Sequence, residues 1–278
     1  MKQTTHSLFS LVAMCMLLIA APSAVHAGET IRINGSGSGL EMMAPLINAY
    51  LKVQRGVTVE MEKPLGSSGA IKALAAGYLD IALTSRPLKP EESAKGLKVR
   101  PYGKTPLAIV ANAGNTKKSI STRELEELYA GAVKKWPNGE AVRPVLRPLE
   151  DIDTKILKGL SPGMAEAISR ANQQRGMITA VTDPESNDVV AKTSGSIGAS
   201  GLTGVLNGKW KLSVLTLNGI QPTTKNLANG SYPLAKEINF VVTENLSDAA
   251  TRFLDFIYSE KGRGIAEKTG VFITTAAK

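Results

Sequence analysis

Residues 65–88 read LGSSGAIKALAAGYLDIALTSRPL and contain a small-residue loop, a helix and a strand in succession. Gly66 to Gly69 form the loop, and Ile71 to Ala76 have the spacing of a short helix that Gly77 is well placed to end. Tyr78 to Leu83 then predict a strand. Alternation of strand and helix at this spacing is typical of βαβ units, so the stretch predicts an open α/β sheet.

The segments on both sides of this stretch repeat the alternation. The other predicted strands are Thr30–Asn34, Val57–Met61, Thr105–Ala111, Arg143–Leu149, Leu212–Leu217 and Asn239–Thr243. The other predicted helices begin at Leu40, Ser121, Pro162 and Asp248. Two prolines in the segment from Arg143 predict an edge strand, and the Gly/Ser-rich residues from Ile197 onward predict a loop.

Two loop-like stretches bracket the middle third of the chain. They are residues 112–118, NAGNTKK, and residues 218–226, NGIQPTTKN. If both are linkers, the middle third is a lobe inserted into a first lobe that is built from both ends of the chain. The predicted lobes are residues 28–111 plus 220–278 for the first and residues 112–219 for the second, with a ligand cleft between them.

The first 27 residues have the features of a cleavable signal peptide. Lys2 supplies a positive charge, Leu8 to Ala21 form an apolar run, and Val25 to Ala27 place small residues where a signal peptidase cuts. We therefore expect a protein that is secreted through the inner membrane and begins near Gly28.

Removal of this segment takes away three residues of chemical importance, because His6, Cys15 and His26 all precede Gly28. The remaining chain has no Ser-His-Asp or Cys-His nucleophile and no His- or Cys-ligated metal site. We expect no enzymatic activity, no cofactor and no metal. Hydroxyl groups, Arg and Lys side chains, carboxylates and backbone amides remain for ligand binding.

The formal net charge of the whole chain is +9, which favours anionic partners. Nucleic acid and an anionic membrane surface are alternative partners for a basic protein. The basic residues are scattered, with no more than two in a row, and aromatic residues make up 5% of the chain. Stacking platforms for bases need more rings, so we expect no nucleic acid partner.

Two glycine-serine loops lie between a predicted strand and a predicted helix. They are GSGSG at residues 35–39 and GSSG at residues 66–69. Unpaired backbone N–H groups at the start of a helix bind oxyanions, and glycines allow close approach. Ser38, Gly39, Ser67 and Ser68 are therefore candidate ligand-binding residues. The alternative is that these residues serve as ordinary helix caps and turns.

The strand that ends at Leu83 is followed by Thr84, Ser85, Arg86 and Pro87. Ser85 and Arg86 are candidate ligand-binding residues because a hydroxyl and a guanidinium bind oxyanions through several hydrogen bonds. The alternative is a surface turn that carries a solvated arginine.

A further candidate segment runs from Arg147 to Thr154 and reads RPLEDIDT. Arg147 and Thr154 suit an anion, and Asp153 suits one that carries a proton for a carboxylate to accept, as phosphate does and sulfate does not. The alternatives are an aspartate that caps a helix beside solvated acids, and a Ca²⁺ site, although the spacing of an EF-hand is absent.

Several segments together resemble the phosphate-binding proteins of ABC transporters. The similar segments are residues 35–39, residues 65–88, SGSIG at residues 194–198, residues 217–234 and residues 259–270. The resemblance implies a two-lobed α/β fold of the type II periplasmic-binding-protein class, with each lobe an open mixed sheet flanked by helices. It also implies a periplasmic monomer that binds phosphate or a similar oxyanion and delivers it to a membrane permease.

The resemblance also implies roles for individual residues. Ser38 and Gly39 match the contacts of the family's first loop, and Ser67 matches the serine of its second. Ser85 and Arg86 match the Ser-Arg pair of the third loop. Arg147 matches the arginine of the second lobe.

The chain departs from the family pattern in the second lobe. Glu150-Asp151-Ile152-Asp153 stands where the family has Ser-Gly-Thr a few residues after the arginine, and Ala199 stands where the family has Tyr. Two alternatives therefore stay open. One is the same fold with a different small ligand in a sensing or surface role, and the other is a hydrolase.

Overall fold

The computed structural model describes residues 29–275, so the predicted signal peptide lies outside the described residues. The strands are β1 (Glu29–Gly35), β2 (Val57–Met61), β3 (Ile81–Thr84), β4 (Lys98–Asn112), β5 (Ser119–Ile120), β6 (Arg143–Leu146), β7 (Ile178–Thr179), β8 (Ser196–Gly201), β9 (Leu212–Leu217), β10 (Ala235–Val242) and β11 (Phe272–Ile273). The helices are α1 (Gly37–Glu41), α2 (Met43–Leu51), α3 (Gly66–Ala75), α4 (Pro90–Ser93), α5 (Thr122–Tyr129), α6 (Ile152–Lys158), α7 (Pro162–Ala171), α8 (Asp183–Lys192), α9 (Leu202–Asn207), α10 (Thr224–Ala228), α11 (Asp248–Tyr258) and α12 (Glu260–Lys268).

The strands form a mixed sheet in the order β2-β1-β3-β10-β4-β8-β6-β7. Strand β1 pairs in parallel with β2 and β3, and β6 pairs in parallel with β7 and β8. Strand β4 is antiparallel to both of its neighbours in this order, β10 and β8. The predicted α/β class with mixed sheets and flanking helices is confirmed.

Strand β4 belongs to both halves of the molecule. Residues 98–106 pair with β10, whereas residues 107–111 pair with β8. Two large hydrophobic cores lie on either side of this change of partner. The first core includes Ile33, Leu83, Phe240 and Phe253, and the second includes Leu107, Ile109, Ile197 and Leu215. Two cores joined by a shared strand are the physical basis of two lobes.

The predicted lobe boundaries stay predictions, and the two cores favour different ones. Leu107 and Ala111 pack in the second core, as does Leu234, whereas Ile238 packs in the first. We propose that the chain crosses between lobes near Pro106 and Ala235, because side chains change core at these positions. The loops at residues 112–118 and 218–226 would then both lie within the second lobe.

Three local predictions are wrong. Strand β6 lies between β8 and β7, so it is not an edge strand. Residues 196–201 form the buried strand β8, although their Gly/Ser content predicts a loop. Gly66 to Gly69 form the first turn of α3 and not a loop before it.

Within residues 29–275, no helix is long and apolar enough to cross a membrane.

Candidate functional site

A cavity of 220 Å³ opens between the two lobes. The lining residues are Ser36, Gly37, Pro64, Leu65, Gly66, Ser67, Ser68, Arg86, Arg147, Pro148, Glu150, Asp151, Ile152, Val181, Thr182, Asp183 and Lys236. A larger groove of 720 Å³ along α12 is lined by four exposed charged side chains together with Gly264 and Ile265, and it is far less enclosed. We place the candidate site in the smaller cavity because buried charges and hydroxyls converge there.

Arg147 is the buried cation on the second-lobe side of the cavity, with a relative exposure of 6%. It directly follows β6, and its Nη2 donates to Asp151 Oδ2 at 2.8 Å. Its Nε and Nη1 have no hydrogen-bond partner among residues 29–275. Buried guanidinium donors are costly to leave unpaired, so this geometry favours an anion that accepts from them.

Lys236 of β10 is buried to 1% relative exposure and lies between two aspartates. Its Nζ donates to Asp183 Oδ1 at 2.6 Å and lies 2.7 Å from Asp153 Oδ1. Asp183 begins α8, and Asp153 lies in the first turn of α6. The ammonium of Lys236 thus links α6 and α8 of the second lobe to β10, the strand that crosses between the lobes.

The pKa values in this cluster separate the two aspartates. Burial alone would raise the pKa of Asp183, but Lys236 and Arg147 outweigh it and lower that pKa well below its usual range. Burial likewise opposes the charged forms of Lys236 and Arg147, and the nearby aspartates nevertheless raise the pKa of both cations. Both cations are therefore charged at neutral pH.

Burial, followed by the like charge of Asp183, raises the pKa of Asp153 to about 7, although the ammonium of Lys236 lies 2.7 Å from Asp153 Oδ1 and opposes this rise. Neither carboxylate oxygen of Asp153 accepts a hydrogen bond from the described part of the chain. Asp153 is therefore a carboxyl group that is partly protonated near neutrality.

Glu41 ends α1 and brings a carboxyl group of the first lobe against the second. Its Oε1 accepts from Asn187 Nδ2 at 3.5 Å, and a Cβ atom on Gly204 would lie 2.4 Å from its Oε2. Burial, followed by repulsion from Asp183, raises the pKa of Glu41 to about 8. Helix α9 can approach this closely because residue 204 is a glycine.

The serines of the first lobe are linked to one another. Ser85 Oγ donates to Ser36 Oγ at 2.9 Å, and the backbone N–H of Ser85 donates to Ser67 Oγ at 3.1 Å. These bonds join the end of β3 to the starts of α1 and α3. They fix the hydroxyl groups on the first-lobe wall of the cavity.

Arg86 is held by Glu92, with Nη2 to Oε1 at 2.7 Å and Nη1 to Oε2 at 2.8 Å. Its Nη2 also donates to Ser68 Oγ at 3.0 Å. The hydrogen bond from Arg86 lowers the pKa of Glu92 to about 2, so Glu92 is ionised at neutral pH. The charge of Arg86 is therefore balanced before any ligand binds.

The other predicted residues are buried around the cavity and do not line it. Gly39 donates its N–H to Ser36 Oγ at 3.3 Å, and Thr154 Oγ1 donates to the carbonyl of Arg147 at 3.1 Å. Ser38 Oγ has no hydrogen-bond partner in the described residues, and a Cβ atom on Gly201 would lie 2.3 Å from it. Ser38 is thus a contact between the lobes.

The structure therefore brings Ser67, Ser68, Arg86 and Arg147 together at the cavity wall. It places Ser38, Gly39, Ser85, Asp153 and Thr154 behind that wall. Sequence reasoning missed three charged residues of the site, which are Glu41, Asp183 and Lys236. The Thr-Asp-Pro start of α8 was a helix signal that could have drawn attention to Asp183, whereas an isolated Lys or Glu carries no comparable signal.

Within residues 29–275, no group of three or more His, Cys, Asp or Glu side chains is arranged to hold a metal ion. In the acidic cluster of the cavity, the ammonium of Lys236 lies between the carboxyl groups of Asp153 and Asp183.

A family model described as a PBP superfamily domain matches residues 20–261. The chain belongs to the PBP superfamily. A curated relative, Protein SphX of Synechococcus elongatus, is 28% identical over 267 residues, which cover 89% of this chain and 78% of the relative. The phosphate-binding protein PstS of Bacillus subtilis is 24% identical and covers 94% of this chain and 90% of its own.

Solved structures support the same fold for this member of the PBP superfamily. A structure from Clostridium perfringens that contains bound phosphate matches with a TM-score of 0.75 at 24% identity, and covers 89% of this chain and 100% of its own. A phosphate-binding protein from Stenotrophomonas maltophilia matches with a TM-score of 0.65 at 14% identity, and covers 90% of this chain and 92% of its own. At these identities, the likeness shows the fold, and the two-lobed prediction is confirmed.

Proposed function

We propose that this protein captures inorganic phosphate, or a closely related oxyanion, in the cavity between its lobes. The observation that carries the proposal is Arg147, a buried guanidinium whose Nε and Nη1 have no acceptor among residues 29–275. A tetrahedral oxyanion supplies acceptors for both donors at once. The names of the relatives SphX and PstS, together with the phosphate-bound structure, support this choice of anion.

The proposed binding sequence uses both walls of the cavity. Ser67 and Ser68 offer hydroxyl groups from the first lobe, and Arg147 closes on the anion from the second. Ser38, Gly39 and Ser85 hold that wall together or add a donor when the lobes close. Thr154 fixes the backbone of Arg147, and Arg86 keeps Ser68 in place. Closure removes water from the site, which strengthens each charged hydrogen bond.

The proposed physiological role is delivery of the anion to a membrane ABC transporter. Secretion into the periplasm would follow from the predicted signal peptide at residues 1–27. Binding by lobe closure needs no covalent step, so we propose that the protein acts as a monomeric, non-enzymatic receptor. Turnover of a phosphoester substrate by the purified protein would instead favour the hydrolase alternative.

The first test is calorimetric titration with phosphate after bound ligand has been removed by unfolding and refolding. Wild type should bind, and Arg147→Ala should weaken binding by about 2–5 kcal/mol, which is about 30-fold or more. Arg143→Ala is the matched control because Arg143 begins the same strand, is exposed and donates to the carbonyl of Ser194. Its affinity should equal that of wild type.

Two outcomes would contradict the proposal. Equal affinities of Arg147→Ala and wild type would place the anion elsewhere. The absence of both heat and a thermal shift with phosphate would favour the same fold with a different small ligand.

A further inference from the structure

The cavity contains more negative than positive groups before any anion arrives. Arg147 and Lys236 are its buried cations. Arg86 also lines the cavity, but its charge is balanced by Glu92. Around them lie the carboxyl groups of Asp151, Asp153, Asp183 and Glu41. If all four carboxyl groups were ionised, the cluster would repel the anion that it is proposed to bind.

Hydrogen bonds show which carboxylates the cations stabilise. Asp151 accepts from Arg147, and Asp183 accepts from Lys236. In contrast, both oxygens of Asp153 and Oε2 of Glu41 lack a hydrogen-bond partner within residues 29–275, and Asp153 shares the ammonium of Lys236 with Asp183 at a distance of 2.7 Å. A buried carboxylate with so few hydrogen-bond donors is destabilised when it is ionised, so these two groups lower their free energy by binding a proton.

The surroundings of Glu41 point in the same direction. The charged groups that face it are Asp183 of α8, Asp153 of α6, Lys236 of β10 and Arg147 after β6. Lys236 is already shared between Asp183 and Asp153, and Arg147 is paired with Asp151. An anion in the cavity would add further negative charge next to Glu41 and Asp153, and would favour their protonated forms more strongly.

We propose that anion capture is coupled to proton uptake by Glu41 and Asp153, so that these two carboxyl groups set how the affinity depends on pH. This inference rests on the proposed function, since it requires that an anion enters this cavity. It assigns a role to residues that contribute no donor to the anion in the binding sequence above.

The sign of the effect follows from linkage. The pKa values of about 8 for Glu41 and about 7 for Asp153 mean that both groups are partly ionised between pH 7 and pH 9 in the empty site. A bound anion requires their protonated forms, so affinity falls as pH rises through this range. The slope approaches about tenfold per pH unit for each proton taken up.

The test is calorimetric titration of the secreted chain with phosphate from pH 6 to pH 9, in two buffers of different ionisation enthalpy. The difference in heat between buffers gives the protons bound per anion. Glu41→Gln mimics the protonated acid, and Glu60→Gln is the matched control because Glu60 is exposed on β2. Phosphate itself titrates near neutrality, but it contributes equally to every variant.

We expect wild type and Glu60→Gln to take up more protons than Glu41→Gln at pH 8. At pH 9, Glu41→Gln should bind about tenfold more tightly than wild type, because wild type must first protonate a group with a pKa of about 8, whereas at pH 6 the two should be equal. Asp153→Asn should also bind more tightly than wild type at high pH, with the difference beginning about one pH unit lower than for Glu41→Gln. Asp188→Asn is its control because the Asp188 side chain lies at the surface.

A measurement without ligand guards against variants that fold poorly. A carboxyl pKa raised from 4.5 in the unfolded chain to about 8 in the fold means that the fold holds a proton through this range. The stability that this proton contributes is full below pH 4.5, falls as pH rises from 4.5 to about 8, and is absent above that value. Thermal unfolding of wild type should therefore show a decline from pH 6 to pH 9 that is smaller in Glu41→Gln.

The failure of this inference is distinguishable from failure of the proposed function. Tight phosphate binding with equal proton counts and equal pH slopes in wild type, Glu41→Gln and Asp153→Asn would overturn proton coupling and leave phosphate capture intact. Absence of phosphate binding by wild type at every pH would overturn both.

Discussion

Lys236 shows how one buried charge organises the site at the scale of a single residue. Its ammonium is in contact with Asp183 and Asp153, which start two different helices. Removal of one member of a buried ionic group leaves uncompensated charge behind, which usually costs more than the pair contributes. The stability of the second lobe should therefore depend strongly on this side chain.

We expect Lys236→Met to lower the free energy of unfolding at neutral pH by about 3–5 kcal/mol, because Asp183 stays buried and ionised without its donor. Urea unfolding followed by circular dichroism gives the value. Lys192→Met is the control, since Lys192 forms an exposed ion pair with Asp188. The urea midpoint of Lys192→Met should equal that of wild type. If Lys236→Met also had the wild-type midpoint, the buried cluster would not stabilise the fold.

Residue-scale prediction from the sequence was uneven for a physical reason. Arg147 could be found because it follows a strand and matches a known family position. Lys236 and Asp183 are 53 positions apart, and each is unremarkable in its own segment. Their pairing depends on the packing of β10 against the second lobe, which local patterns do not reveal.

At the scale of elements, α8 carries a site residue on its first turn. Thr182 caps this helix, with its Oγ1 accepting from the N–H of Glu185 at 3.3 Å, and Asp183 follows immediately. Thr182 also lines the cavity. The start of α8 therefore contributes both to the stability of the lobe and to the position of Asp183.

Thr182→Ala should cost about 1 kcal/mol in unfolding free energy and should also weaken phosphate binding, because the first turn of α8 loosens. Ser247→Ala provides the comparison, since Ser247 caps α11 in the same way, accepting from Ala250 N–H at 3.2 Å. Its stability loss should be similar, with phosphate affinity as in wild type. Equal phosphate affinities of Thr182→Ala and Ser247→Ala would show that the cap of α8 does not position the binding site.

Elements with an alternating or amphipathic pattern were predictable, and small-residue segments were not. The helix Asp248–Tyr258 begins at the predicted residue, and its apolar residues share one buried face. Strand β8 consists largely of Gly and Ser and was predicted as a loop. Its small residues permit close packing, since a Cβ atom on Gly201 would lie 2.3 Å from Ser38 Oγ. Composition alone cannot distinguish a tightly packed strand from a turn.

At the scale of the whole molecule, the lobes meet through positions that have room for no side chain. A Cβ atom on Gly37 of the first lobe would lie 2.5 Å from Asp183 Oδ2 of the second. Gly201 and Gly204 of the second lobe are equally close to Ser38 and Glu41. The contact between the lobes in this structure therefore depends on glycine at these positions.

Gly37→Ala should hinder closure, because the added methyl group cannot fit unless the lobes separate. Small-angle X-ray scattering should show a smaller phosphate-induced decrease in the radius of gyration than in wild type, and titration should show weaker binding. Gly264→Ala is the control, since a Cβ atom there would meet no heavy atom of the described residues within 4 Å. If phosphate decreased the radius of gyration of Gly37→Ala as much as that of wild type, this contact would not be needed for closure.

The shared strand β4 determines what kind of movement joins the lobes. It runs without a break from Lys98 to Asn112, and where it changes partner the N–H of Leu107 donates to the carbonyl of Leu234 at 3.0 Å. The two crossing segments are thus hydrogen-bonded to each other at the same level of the molecule. We expect the two segments to move together when the lobes move, because this hydrogen bond couples one crossing to the other. The proposed membrane partner, if it contacts both lobes, would then sense capture as a change in the angle between them.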